Sequence, residues 1–462
     1  MSRAAIPGPR KGLRTVLLPA VAASALLLTA ACGGGSSDRG DEGQSSQGGG
    51  SGAAATEAGD DSGTGQAGGD GETGTGAKPG GQDGTGKPDG QDTQDKDKQD
   101  KQDKKDQEAP PKVRVDPADG SVTAEAGRPV TVTADEGTLT AVRVTDADGG
   151  AVAGALSADR KTWTSSGRTA PGTAYQVDIS SRTPKGKAQE SSTKFTTQKA
   201  DRINKVAMKP GNGGTFGVAQ PVSIVFDYPV ADKAAVERNL KVNTSVPTQG
   251  SWGWIKDQSG KDRVDWRPKE YWKPGTRVTL NANLQGVKSG TGTYFARDYE
   301  TSFTVGSGRV VEVDVPNHKV NIVENGQLVK SLPMSAGSAE FPTRGGTHVI
   351  LAKNAKETLD SQTVGLGDRY NLPDVPWVVH FTSSGTFFHS AAWNTANIGR
   401  NNTSHGCVGM TVEDAKWFYD RVQVGDPVVV KGSTSTAVTD PGNGFGAWQM
   451  PYPQWQTKSA LS

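Results

Sequence analysis

From about residue 111 onward the chain carries short apolar stretches that alternate with period two, each closed by glycine, proline or aspartate. The first three are Pro129-Val130-Thr131-Val132-Thr133-Ala134, Leu139-Thr140-Ala141-Val142-Arg143-Val144 and Tyr175-Gln176-Val177-Asp178-Ile179-Ser180. Strict alternation gives a strand one apolar face, and it gives a helix none. Asp119-Gly120, Asp148-Gly149-Gly150, Pro171-Gly172 and Pro184-Lys185-Gly186 supply turns. Strands at this spacing predict a small β-sandwich over residues 110–199.

A second such unit is expected over residues 200–306. Val222–Asp227, Trp252–Ile255 and Arg277–Leu280 are its strand candidates, Ala231–Leu240 one short helix, and Lys209–Gly214 a loop. Trp252, Trp254, Trp266 and Trp272 suit either core packing or an aromatic surface for glycan.

The segment before the sandwiches has another character. Arg3, Arg10, Lys11 and Arg14 precede an apolar run from Val16 to Ala31, which ends Leu28-Thr29-Ala30-Ala31-Cys32. That order predicts a signal peptide over residues 1–31. The small residues before Cys32, with Gly33-Gly34-Gly35 after it, resemble a bacterial lipobox, in which the cysteine thiol takes a diacylglyceryl group. Leucine is usual three positions before that cysteine; here Thr29 stands there, with Leu28 one step earlier. Lipidation at Cys32 would tether the exported protein to the outer face of the cytoplasmic membrane, since two acyl chains anchor firmly. Residues 32–109 are rich in Gly, Ser, Asp, Lys and Gln with almost no large apolar residue, so a disordered linker is expected. With 51 Lys+Arg against 50 Asp+Glu there is no basic field to bind nucleic acid.

Residues 307–432 change again. All five histidines fall here, with none before position 318. Strands are expected at Val310–Asp314, Lys319–Val323 and Gln327–Leu332, with Asn325-Gly326 as a hairpin turn. Thr411-Val412-Glu413-Asp414 fits a relaxed capping box opening a helix through Val422, with Ala415, Phe418 and Val422 on one face. Val428-Val429-Val430 reads as a closing buried strand. An aromatic, irregular extension follows over residues 433–462 and is expected to pack on a neighbouring unit.

The chemistry concentrates at Cys407, the one cysteine in a foldable region. A nucleophilic thiol needs a base, a group to orient it and partial access to solvent. His389 follows Gly385-Thr386-Phe387-Phe388, which would deliver it at the end of a buried strand. His405 lies two positions before Cys407 and is expected to shape the loop. Gly406 lets the backbone approach a substrate, and N–H groups around Gly406 and Cys407 could serve an oxyanion. The same residues also fit a buried cysteine with packing histidines, or a zinc site of Cys407, His405 and His389. No second foldable cysteine and no HExxH motif supports a metal, so no metal or cofactor is expected.

Ser404-His405-Gly406-Cys407, with His389 eighteen positions before the cysteine, resembles the signature of the YkuD-type L,D-transpeptidases. Gly337–Thr343, Leu359-Asp360-Ser361, His389–Trp393, Trp417–Asp420 and the tail Gly446–Trp455 are similar to the actinobacterial branch. That branch has two immunoglobulin-like domains ahead of the catalytic domain, so the resemblance implies a mainly β protein of that layout over roughly residues 111–457. It implies that Cys407 attacks the bond after the third residue of a peptidoglycan tetrapeptide stem. The acyl group then passes to a diamino acid on a second stem, giving a 3→3 cross-link. It implies His389 as base, Ser390 holding the imidazole through its carbonyl, and His405 and Gly406 supporting the loop. Tyr370, Trp393 and Ser404 would contact the substrate. After Cys407 and an apolar residue the family often has Asn, where this chain has Gly409. An L,D-carboxypeptidase with water as acceptor would use the same residues. A wall-binding lipoprotein without catalysis would have no need of the His389/Cys407 pair.

Overall fold

The computed structural model describes residues 111–462. The expected signal, Cys32 and the linker lie outside the described residues.

The first sandwich pairs two four-stranded sheets. One runs Val113–Asp116, Thr131–Ala134, Thr162–Ser165, Gly154–Leu156; the other runs Ala151–Val152, Thr138–Asp146, Ala174–Arg182, Ala188–Thr196. Its core holds Val132, Leu139, Val144, Trp163, Tyr175, Val177 and Phe195. The simple alternation of the second apolar stretch does not survive. The register against Ala174–Arg182 jumps from Leu139↔Ser181 to Ala141↔Ser180. Thr140 is the extra residue of a bulge, so Leu139 and Val144 both reach the core.

The second sandwich holds all four tryptophans in its interior, between 2% and 9% exposed, with Trp266 stacked on Trp272 at 5.2 Å. They are core residues and form no open aromatic surface. The expected helix from Ala231 to Leu240 is shorter, Lys233–Glu237. Asp232 caps it by accepting from the Ala235 N–H at 2.8 Å, and Leu240 already starts the next strand. Lys209 closes the strand Val206–Lys209, so the loop begins one residue later than expected.

Beyond it, a five-stranded sheet runs Gln327–Pro333, Lys319–Glu324, Arg309–Asp314, Pro427–Lys431, Gly346–Val349. Asn325 and Gly326 take φ of 50° and 82°, the left-handed pair a tight hairpin requires. The Val428–Val430 run is interior to the sheet, parallel to Arg309–Asp314 and antiparallel to Gly346–Val349. A second sheet runs Ala352–Asp360, Asn371–His380, Phe387–Ser390, Val408–Met410. The helix Val412–Arg421 lays Ala415 and Phe418 into the shared core, with Val422 as its C-cap. Thr411 accepts from the Asp414 N–H at 3.1 Å and donates to its carboxylate at 2.9 Å. The acid is thus engaged by the Thr hydroxyl, a variation on the reciprocal capping box.

The last residues wind back over the second sandwich. Trp448 donates to Ala219 O at 2.8 Å, Trp455 to Ser251 O at 3.0 Å, and the Ala460 N–H to Glu237 at 2.8 Å. At the joint, Gly217 N–H bonds Val424 O and Ala219 N–H bonds Gly425 O, at 2.8 and 2.9 Å. A Cβ on Gly217 would stand 2.1 Å from Asp426 N, so only glycine fits there. Among the described residues no helix is long and apolar enough to cross a membrane.

Candidate active site

The strands Phe387–Ser390 and Val408–Met410 lie parallel, with Phe388 opposite Val408, His389 opposite Gly409 and Ser390 opposite Met410. Period two then sorts the side chains. Phe388, Val408 and Met410 enter the core, where Phe388 meets Phe418 at 4.5 Å between ring centres. Phe387, His389, Cys407 and Gly409 fall on the other face and line one cavity of about 350 Å³. The hydrophobic face thus fixes the register, and the register brings the thiol and the imidazole to the same side.

His389 is 6% exposed, and its Nδ1 donates to Ser390 O at 2.8 Å. That bond fixes the tautomer and leaves Nε2 with a free lone pair. Burial pulls the imidazole below its ordinary range, opposed by the Ser390 carbonyl. Burial likewise pushes the Cys407 thiol up to about 11, opposed by the Phe387 backbone. The half-buried sulfur lies 3.7 Å from Gly385 O. Burial thus favours the neutral form of each group, the thiol and the uncharged imidazole.

His405 is exposed, its ring set between Phe341 at 4.9 Å and Tyr370 at 5.3 Å. The segment before Cys407 is not an extended strand: Gly406 takes φ 119°. Ser404 Oγ donates to Cys407 O at 2.6 Å and accepts the Gly406 N–H at 3.1 Å. The Gly406 N–H is thus occupied within the loop, against its expected place as an oxyanion donor. Trp393, 56% exposed, stacks on His389 at 5.7 Å with its plane tilted by 13°. Tyr370, Trp393 and Ser404 all line the Cys407 cavity. Burial, then the neighbouring Cys407, pushes the Tyr370 hydroxyl up to about 12, so it stays a neutral donor. Gly409 has a local reason to be small here: a Cβ would stand 3.0 Å from Ala391 Cβ and 3.9 Å from His389 Cε1. Among the described residues no cluster of His, Cys, Asp and Glu could hold a metal ion.

The sequence reading assigns no site role to several residues that the structure places there. Thr343 donates to Gly406 O and accepts from the Gly337 N–H, each at 2.9 Å, bracing the loop from outside. Gly385 acts through its carbonyl. Phe387 could have been found by period two from His389, which puts both on one face. Glu357 reaches the cavity from a strand with no apolar pattern.

A β-rich domain with a cysteine and an oriented histidine in one cleft, preceded by two sandwiches, defines a class, and comparisons with known proteins give it a family. The model for the L,D-transpeptidase catalytic domain, YkuD, matches residues 308–430, and that for a bacterial Ig domain matches residues 121–288. L,D-transpeptidase 2 of Mycobacterium tuberculosis is 34% identical over 356 residues, covering 76% of this chain and 85% of that protein. L,D-transpeptidase 5 of the same species is 32% identical over 354 residues, covering 76% and 77%. A solved L,D-transpeptidase in complex with imipenem is 32% identical, covers 49% of this chain and 99% of its own, and superposes with a TM-score of 0.43. The chain belongs to the L,D-transpeptidase family and is an enzyme of that class.

Proposed function

We propose that Cys407 forms an acyl-enzyme with a peptidoglycan tetrapeptide stem and makes 3→3 cross-links. As the substrate arrives, His389 Nε2 takes the thiol proton and Cys407 Sγ bonds the carbonyl carbon of the third residue. The C–N bond to the terminal D-Ala breaks, and that amine leaves with the proton from His389. The side-chain amine of a diamino acid on a second stem then attacks the thioester. Its proton passes through His389 back to the sulfur as the new amide forms. Ser390 holds the imidazole, His405 and Gly406 shape the loop, and Tyr370, Trp393 and Ser404 contact the stem. The observation that carries this reading is the shared sheet face of His389 and Cys407, with Nδ1 tied to Ser390 O and Nε2 left free. A base must come within hydrogen-bond reach of the proton it takes, and a shared face with a free Nε2 supports His389 in that role.

The test is mass spectrometry of the purified protein after incubation with a tetrapeptide-stem muropeptide. The wild type should gain the acyl mass, release D-Ala and yield a dimer; Cys407→Ala should do none of these and still fold. An acyl-enzyme that yields only free acid would make the protein an L,D-carboxypeptidase. Carbapenems, whose strained ring acylates such thiols, should add to the same sulfur. A Cys407→Ala protein that still cross-links would remove the mechanism.

The leader ending Ala30-Ala31-Cys32 supports a further part of the proposal. Lipid on Cys32 holds the enzyme at the outer face of the cytoplasmic membrane, facing the wall.

A further inference from the structure

The cavity of Cys407 has an uneven charge. Glu357 and Asp360 both line it, and no Lys or Arg does. Asp360 is held by a single backbone bond, its Oδ1 accepting the Gln362 N–H at 2.9 Å as a helix cap. Glu357 is differently placed. Its Oε2 takes Asn354 Nδ2 at 2.7 Å and meets His380 Nε2 at 2.6 Å. Among the described residues no donor is found on Oε1. The side chain is 27% exposed, and His380 is itself held against the cavity residue Phe387 at 4.2 Å between ring centres. A carboxylate with one oxygen fixed by two neighbours has its orientation set in advance, and its second oxygen remains for a ligand. Phe387, Tyr370 and Trp393 are among the residues that line the same cavity. Aromatic side chains in such a wall lower the local polarity, which strengthens a charge-assisted bond.

Resting on the acyl-enzyme reading above, we propose that Glu357 is a specificity-determining residue that binds the free side-chain ammonium of the donor stem's diamino acid. The third residue of the stem supplies both the carbonyl that Cys407 attacks and, at the end of its side chain, that ammonium. A carboxylate in the same cavity as the thiol holds the far end of the residue while its near end reacts. Asn354 and His380 are positioning residues for Glu357. The two carboxylates in the wall also disfavour an anionic group at that end, so the site selects by attraction and repulsion together.

The experiment is single-turnover acylation of the full-length protein, followed by intact-mass spectrometry. Three tetrapeptide-stem donors are compared: one with the free side-chain amine, its N-acetyl derivative and its N-succinyl derivative. The wild type should acylate faster with the free amine than with the acetylated donor by roughly tenfold or more, the value of one charge-assisted hydrogen bond. Glu357→Gln should bring that ratio near one. Glu357→Lys should turn the preference toward the succinylated donor, with thermal melting used to check that both variants fold. A wild-type ratio near one overturns the proposal, as does a ratio that survives both substitutions. Should neither variant fold, Asn354→Ala, which removes a bond that orients Glu357, should lower the ratio, and a ratio it leaves unchanged overturns the proposal. A wild type that acylates with none of the three donors removes the acyl-enzyme reading itself, an outcome distinct from the loss of selectivity alone.

Discussion

At the scale of single residues, burial holds both members of the pair neutral. The sign for each follows from which form is charged: the imidazole becomes harder to protonate and the thiol harder to deprotonate. His389 should therefore remain a base below the usual histidine range. Alkylation of Cys407 by iodoacetamide should still be climbing at pH 9, on its way to a midpoint near the value of about 11. His389→Ala should cut acylation by about 10²–10⁴-fold, the usual cost of losing a general base. His405→Ala should act less, through the Phe341 and Tyr370 contacts of the loop. An alkylation profile that levels off near 8.5, or a larger loss from His405→Ala, would reverse these assignments. The thiol and its histidine were legible in the sequence because reactive side chains in a rare order are themselves the signal. Gly385 and Thr343 fall in stretches the sequence singles out, but a role through a carbonyl or a loop-bracing hydroxyl is not written in residue type.

At the scale of elements, strands with one face in a core were legible and strands without one were not. The arm Ala352–Asp360 and Asn371–His380 forms the outer half of the catalytic sheet. Residues 354–356 are exposed on both faces, so no alternation is written there. The short helix Lys233–Glu237 was over-extended because Leu240 suits a helix face and a strand equally well. One element contact carries a measurable load. Arg309, 7% exposed, bonds Asp426 at 2.9 Å and Glu324 at 2.7 Å where two parallel strands begin. Burial pushes the Asp426 carboxyl up to about 6 even with the guanidinium beside it. Arg309→Ala would leave that carboxyl buried without its partner and should destabilise the fold by about 3–5 kcal/mol near neutral pH. Asp426 holds its proton more tightly folded than unfolded. It therefore favours the native state in acid, and that help fades as pH rises through about 6. The deficit in denaturant melts should shrink toward pH 5. A deficit independent of pH would place the cost elsewhere.

At the scale of the whole molecule, the second sandwich, the catalytic sheets and the tail are joined by backbone bonds at Gly217 and Ala219 and by the indoles of Trp448 and Trp455. The two-sandwich layout was legible from turn spacing and from the resemblance. The joint was not, because Gly217 and Gly425 reveal their close approach only when the chain is folded. The proposed anchor belongs to this scale too. The mature wild type should partition into detergent, and Cys32→Ala should release a form no longer held by lipid. Wild-type protein found free in the medium with an unmodified N-terminus would remove the anchor.

The parallel pairing of Phe387–Ser390 with Val408–Met410 gives the interval between His389 and Cys407 a topological origin. Antiparallel neighbours can be joined by two residues, whereas parallel neighbours need a return path of about a dozen or more. Residues 391–407 are that path. Cys407 is its last residue, so the motif loop and the crossover are one object. The distance along the chain from His389 to Cys407 is then an elastic quantity, and the quantity held fixed is the pairing of His389 with Gly409. Insertions near Asn397 would lengthen the interval and leave the pair opposed, while a one-residue slip of either strand would send one partner into the core. A search for distant members of this architecture should therefore hold the register constant and let the count vary.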